Sequence, residues 1–252
     1  LSEKLYGMRN GRYFDIFYVG QSTIHVNKQW LKMWKRVLPV RKVNSFWQRV
    51  HRINRNLPGF EQNEVPDHHV YPSIEEWQEY FFNPTCGKIK KYNKRLNAVL
   101  KNKSPNISFT KNEEKKGSRV LESLGIPNDG EYICFHNRDS AYLEAVHPQR
   151  DWNYHNYRDS HIQNYVPAAE EIVERGYYAI RMGAIVKDPV HSSNFKVIDY
   201  ATNGQRTDFN DIYIGSHCRF FLCSDGGMSV IPEMFRIPVV CVNWTSILRI
   251  ST

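Results

Sequence analysis

Between residues 108 and 242 short apolar runs alternate with capped helical segments, and this alternation constrains the fold more than any other feature of the chain. Thr110-Lys111-Asn112-Glu113 has the spacing of a capping box, in which a hydroxyl and a carboxylate three residues apart satisfy each other's backbone amides. The helix it opens is expected to stop at Gly125. Pro127 and Gly130 precede a first strand, Tyr132-Ile133-Cys134-Phe135. Ser160-His161-Ile162-Gln163 reads as a second capping box, opening a helix through Ala168, Ile172 and Val173 that Gly176 ends. Further strands are expected at 177–180, 195–198, 219–223 and 237–242, with a short helix from Asp208 to Gly215. Such an order implies βαβ units and a parallel sheet covered by helices on both faces, a Rossmann-like module.

The first half differs in composition. Residues 1–107 carry 19 Lys and Arg against 8 Asp and Glu, whereas residues 108–252 carry 15 against 18. The net charge of +8 therefore sits in the first half, which suits phosphates, acidic glycans, an anionic membrane face or simply water. A strand is expected at 13–19 and a helix at 29–38, with apolar residues at helical spacing and Lys and Arg opposite. The division expected is residues 1–107, a basic N-terminal domain, and residues 108–252, a Rossmann-like domain. With 41% hydrophobic residues the chain has material for a core, and it has no run of 18 apolar residues to span a membrane. Leu1-Ser2-Glu3-Lys4 does not open a signal peptide. The chain starts without an initiator Met and stops at Thr252 soon after a strand, so a fragment truncated in its second domain is expected. Cys86, Cys134, Cys218, Cys223 and Cys241 form no CxxC pair, and four lie in apolar runs; reduced, buried thiols of a cytoplasmic protein are expected.

In an open parallel sheet, ligands bind beyond the carboxyl ends of the strands, so the residues that follow each strand are the informative ones. His136-Asn137-Arg138-Asp139-Ser140 follows the first strand, Arg181-Met182-Gly183 the second and Ser224-Asp225-Gly226-Gly227-Met228-Ser229 the fourth. Gly226 and Gly227 let backbone approach a ligand, and Ser229 is expected to cap the next helix, with Pro232 in its first turn. Amides at such a helix start suit a phosphate, and Glu233 one turn on suits ribose hydroxyls. The alternative is an ordinary strand-to-helix turn with a solvated Glu233. Arg138 and Arg181 follow neighbouring strands and form a candidate diphosphate clamp, the alternative for each being a structural ion pair. His136 and Asp139 crowd the same strand end as candidate acid/base groups, although a histidine there can equally be tied to a backbone carbonyl.

Other chemistries lack their motifs. GxGxxG, Walker A and GxSxG patterns are absent, which disfavours standard NAD, ATP and α/β-hydrolase sites. His68-His69 lacks partners at metal spacing, and Asp208 in Asp208-Phe209-Asn210-Asp211 is expected to cap a helix rather than hold a metal.

Phe135-His136-Asn137-Arg138-Asp139-Ser140-Ala141-Tyr142-Leu143 resembles a motif of a family of bacterial glycosyltransferases linked to surface polysaccharide synthesis. Asp151-Trp152, Tyr157-Arg158-Asp159-Ser160, Asn164 to Ala169, Tyr178 to Gly183, Ile198 to Ala201, Ser224 to Gly227 and Pro232 to Phe235 continue the resemblance in order. It covers about residues 108–245 and implies two Rossmann-like domains of GT-B type facing each other, the second binding a nucleotide sugar. Carried onto this sequence, Arg138 and Arg181 would hold the diphosphate, with Gly183, Ser224, Asp225, Gly226, Gly227 and Ser229 in the donor site and Glu233 at the ribose. The sequence departs from the family's pattern: Ser229 to Glu233 is four residues rather than three, the segment from Glu233 to Pro238 is shorter than usual, Asp225 adds a negative charge, and the final helices that close this fold are not expected in the chain.

The reading reached is a metal-independent glycosyltransferase without cofactor, moving a sugar from a nucleotide diphosphate to a glycan or lipid-linked acceptor. His136, Arg138, Asp139 and Arg181 are its candidate catalytic residues, with His136 or Asp139 as base. Its expected location is cytoplasmic, with peripheral contact at the anionic inner membrane face. The rivals are a non-catalytic nucleotide- or glycan-binding module and a nucleic-acid-binding protein using Trp30, Trp34, Trp47 and Tyr92. Tryptophans at helical spacing belong more naturally to a core, so no nucleic-acid partner is expected.

Overall fold

A computed structural model describes residues 17–19, 27–42, 46, 49, 53, 104–224 and 226–244. The chain divides into two compact units, one formed by residues 27–33 and 104–250 and the other by the remainder. In the latter, β1 (Phe17–Val19) pairs in parallel with β2 (Val40–Lys42).

The larger unit is built on one five-stranded sheet. Its strands are β3 (Tyr132–His136), β4 (Tyr178–Arg181), β5 (Val197–Asp199), β6 (Phe221–Cys223) and β7 (Val239–Cys241). They lie in the order β5-β4-β3-β6-β7 and every pair is parallel. The chain begins at the central strand, adds β4 and β5 on one side, and crosses to place β6 and β7 on the other. The point of reversal lies between β3 and β6. All five expected strands are present, and the last four start later than expected. Phe195 is 82% exposed and precedes β5, and Pro238, which has no amide to donate, precedes β7 and offers only its carbonyl to Phe221 N at 2.9 Å.

Strand alternation divides the core in two. Tyr132, Cys134, Ile180 and Cys223 face one side, with Ile214 and Cys218 of the following helix region. Ile133, Phe135, Ala179 and Leu222 face the other, with Ile162, Tyr165, Ala169 and Val173. The first side is covered by α2 (Lys111–Ser123) and α5 (Asp208–His217), whose ring of Tyr213 lies directly over Gly117. The second is covered by α4 (Val166–Glu174). Cys134, Cys218 and Cys223 are buried free thiols and Cys241 is half-buried, while Cys86 lies outside the described residues.

Helix ends show where sequence spacing is sufficient and where it is not. Thr110 and Glu113 make the reciprocal capping box of α2, and Gly125 takes φ +81° just past its end. Buried Glu113 also accepts from Gln29 Nε2 at 3.1 Å and pairs with Lys32 Nζ at 2.7 Å. These bonds dock the start of α1 (Lys28–Val37) onto α2; Asn27, not anticipated, caps α1 by accepting from Gln29 N at 2.9 Å. Ser160 does not cap a helix: its hydroxyl meets Tyr165 Oη at 3.1 Å, a 3-10 turn spans Ile162–Tyr165, and α4 begins at Val166 with Pro167 in its first turn. Asp208 does not cap α5. Thr207 does, accepting from Asn210 N at 3.1 Å, while the Asp208 carboxylate accepts from Lys28 N at 2.8 Å. Among the described residues no helix is long and apolar enough to cross a membrane.

Candidate functional site

The carboxyl ends of β3 and β6 flank the reversal of the sheet, the place where an open parallel sheet receives ligands between its diverging loops. One hydroxyl holds the two loops together. Ser224, fully buried, accepts from the amide of Arg138 at 2.7 Å, and its own amide donates to His136 O at 3.3 Å. Its side chain is therefore spent on the scaffold of the site.

His136 ends β3 with Nδ1 3.0 Å from Met182 O. Because a carbonyl only accepts, Nδ1 carries the proton and Nε2 keeps its lone pair. Desolvation lowers the imidazole pKa to about 4, assisted by the charge of Arg181, against the opposing effects of the Met182 bond and Asp139. His136 is thus neutral at pH 7. A Cβ built on Gly226 would lie 3.6 Å from His136 Nε2 and 3.9 Å from Arg138 Cβ. These three residues come together at the reversal point, and Gly227 beside them faces open space. Gly226 has φ −167°, extended backbone open to any residue; its use here is the room it leaves.

Arg138 follows β3, and Arg181 is the last residue of its neighbour β4 rather than a loop residue after it; each already has a carboxylate. Arg138, nine-tenths buried, is ion-paired through Nη1 with Asp159 and donates to His155 O at 3.1 Å. Arg181 is wholly buried, with Nη1 3.2 Å from Asp199 Oδ1. These two are register partners on β4 and β5, so their side chains stand side by side on one face. Nε and Nη2 of Arg181 are left without partners. An incoming diphosphate would meet both guanidinium groups as members of ion pairs.

Asp139 is engaged by backbone at both oxygens: Oδ1 accepts from Ala141 N and Oδ2 from Lys187 N, each at 3.1 Å. It fixes the start of α3 (Ala141–Val146) and the loop after β4. Gly183 is packed, its absent Cβ position lying 2.4 Å from Val186 Cγ1 and 3.3 Å from Ala201 Cβ. Ser229 does not cap the helix after β6. It ends a 3-10 turn (Gly227–Ser229) and donates its hydroxyl to Gly226 O at 3.0 Å, and α6 (Val230–Phe235) follows with Pro232 in its first turn. Glu233 on α6 is exposed, its carboxyl raised by partial desolvation and drawn back by the Ser229 hydroxyl. Asp225 and the His68-His69 pair lie outside the described residues.

Several participants are not marked as site residues by the sequence pattern: Met182 through its carbonyl, and Asp159 and Asp199 through their carboxylates. One signal for Asp159 is present. Asn137-Arg138-Asp139-Ser140 is echoed by Tyr157-Arg158-Asp159-Ser160, and the echoed segments bind each other. Arg138 pairs with Asp159, Asn137 Nδ2 donates to Ser160 O at 2.6 Å, and Ser160 N donates to Arg138 O at 3.0 Å.

One depression, about 360 Å³ beside Gly130, Arg175 and Tyr177, lies at the opposite end of the sheet, where the strands begin. A second, polar cleft of about 280 Å³ lies between the loop after β3, the 156–162 segment and Lys187-Asp188.

No family model matches the sequence, and no curated protein matches it. Among solved structures the chain is similar to a glycosyl transferase family 9 protein from Veillonella parvula DSM 2008, with a TM-score of 0.36 at 10% identity, covering 54% of this chain and 36% of that one. The match spans little more than a third of that protein's length, and a likeness this distant carries no argument about function.

Proposed function

We propose that the larger unit is the donor-binding part of a metal-independent glycosyltransferase, receiving a nucleotide-diphosphate sugar at the crevice between β3 and β6. The observation that carries this reading is the pair of glycines at the reversal of an all-parallel sheet, Gly226 packed beside His136 Nε2 and Arg138 and Gly227 facing open space. The order of motifs shared with bacterial glycosyltransferases of GT-B type agrees with it. In this reading the two-domain GT-B arrangement divides near residues 107 and 108. The basic N-terminal half serves a glycan or lipid-linked acceptor at an anionic inner membrane face.

The chemistry assigned to the residues follows from their surroundings. His136, neutral and fixed in one tautomer, holds an accepting nitrogen toward the crevice and is the preferred base for the acceptor hydroxyl. Asp139, with both oxygens bound by amides, positions the loop instead. Arg138 and Arg181 lie beneath the leaving diphosphate as oriented ion pairs with Asp159 and Asp199, each adding a fixed dipole rather than a net positive charge. Gly183 and Ser224 support the donor site from below, while Gly226, Gly227, Ser229 and Glu233 border it.

The test is turnover of a panel of nucleotide sugars by the full chain with oligosaccharide and lipid-linked acceptors, read as release of nucleoside diphosphate. One donor consumed by the wild type, with loss in His136→Gln, supports the reading. Nucleoside diphosphate bound without any release would favour a non-catalytic binding module, the second reading, which the prior engagement of both arginines and Asp139 also fits.

A further inference from the structure

We infer that the 280 Å³ cleft beside the crevice is a glycan subsite that seats one neutral sugar ring, a role in the substrate site that rests on the glycosyltransferase reading. The cleft is walled mainly by acceptors: Asn137, Asp139, Asn156, Asp159 and Asp188. Asn137 is the decisive member. It is 97% buried, its Nδ2 is committed to Ser160 O at 2.6 Å, and its Oδ1 has no partner. A buried amide oxygen without a donor is uncommon in folded proteins, and a ligand hydroxyl would satisfy it.

The acceptors are matched to hydroxyls better than to ions. Asp159 is already paired with Arg138, and Asp139 already takes two backbone amides, so what remains are lone pairs rather than uncompensated charge. Lys187 and His161 border the same cleft, and among the described residues no three carboxylate, histidine or cysteine groups are arranged to hold a metal. A phosphate brings only acceptors to a wall made mainly of acceptors, whereas a sugar hydroxyl brings a donor. The volume lies below the roughly 300–1,000 Å³ of sites for larger small molecules, which suits a single ring.

A second feature points the same way. The 3-10 segment Asn153–Arg158, which supplies Asn156 to the cleft, also carries Tyr154 and Tyr157, 65% and 68% exposed. Trp152 stacks on Tyr154 and His155 at centroid distances of 6.2 and 6.0 Å. Exposed aromatic faces next to an acceptor-lined cleft offer apolar platforms for the next rings of an oligosaccharide.

The experiment is saturation-transfer NMR on the full chain with neutral gluco-, galacto- and manno-configured trisaccharides, using wild type, Asn137→Ala and His161→Trp. Asn137→Ala removes the unpartnered acceptor. His161→Trp fills the exposed rim and keeps the test valid if the first variant fails to fold. At least one trisaccharide is expected to bind the wild type, with affinity at least tenfold weaker in each folded variant. Absence of binding by every trisaccharide to folded wild type, equal binding by the variants, or binding of spermidine in their place would overturn the inference. Gly226→Leu, which narrows the nucleotide crevice, is expected to leave trisaccharide binding unchanged. Trisaccharide binding by a wild type that binds no nucleotide would fail the donor reading alone, and nucleotide binding by a wild type that binds no trisaccharide would fail the subsite alone.

Discussion

The Ser224 hydroxyl accepts the amide of Arg138 at 2.7 Å and so ties the loop after β6 to the loop after β3 at the point where the sheet reverses. Ser224→Ala removes the acceptor from a buried amide, which costs about 1–3 kcal/mol. Urea unfolding should show a lower midpoint with an unchanged slope, and nucleotide affinity should fall with it.

Arg181 and Asp199 predict an order of effects. Asp199 has other donors, Val190 N at 2.9 Å and Thr202 Oγ1 at 2.7 Å, whereas Arg181 would lose its carboxylate while wholly buried. Breaking a buried pair costs about 3–5 kcal/mol. Asp199→Asn should therefore destabilise more than Arg181→Met, and a double-mutant cycle by denaturant unfolding should show a favourable coupling between them. Equal losses would place the guanidinium elsewhere.

His136 predicts a stability limb in acid. Its pKa is lowered from 6.5 to about 4, so between those values the unfolded chain binds the proton first. Its contribution is complete above about pH 6.5 and is lost as pH falls toward about 4, a change of about 3 kcal/mol. Comparing wild type with His136→Gln at several pH values should show the difference in stability narrowing through this window as acid is added. A constant difference would mean that the imidazole titrates alike in folded and unfolded chains.

Gly117 predicts a sign opposite to helix propensity. Alanine in a helix interior is worth about 1 kcal/mol over glycine, but a Cβ at Gly117 would lie 2.0–2.3 Å from the Tyr213 ring. That ring packs against Phe109 and His217 at 5.2 and 4.1 Å and bonds Glu114 Oε2 at 3.2 Å, so it has little room to yield. Gly117→Ala should destabilise by about 1–3 kcal/mol in thermal or urea unfolding.

The five strands and their alternation with helices were legible because each apolar run is short and each is separated by a helix or loop, and Thr110 and Glu113 carry their own cap geometry in four consecutive residues. The fate of Arg181 was not, because its partner depends on register: Asp199 is 18 residues away and becomes a neighbour only when β4 and β5 align. Ser160 and Asp208 have the right spacing for caps, yet tertiary partners, Tyr165 Oη for one and Lys28 N for the other, claim their side chains. The position of His136 at a strand end was readable, while the carbonyl that fixes its tautomer belongs to Met182, just past the end of the next strand.

The central claim, that the crevice between β3 and β6 receives a nucleotide sugar, is tested most directly by calorimetric titration of nucleoside diphosphates and nucleotide sugars into wild type and Gly226→Leu. The backbone at Gly226 accepts any residue and a Cβ there makes only ordinary contacts, so the leucine enters without backbone strain, and circular dichroism of the variant checks its fold. The account predicts selective binding of one nucleotide series by the wild type and its loss in Gly226→Leu. No binding by a folded wild-type chain, or equal binding by both proteins, would contradict it.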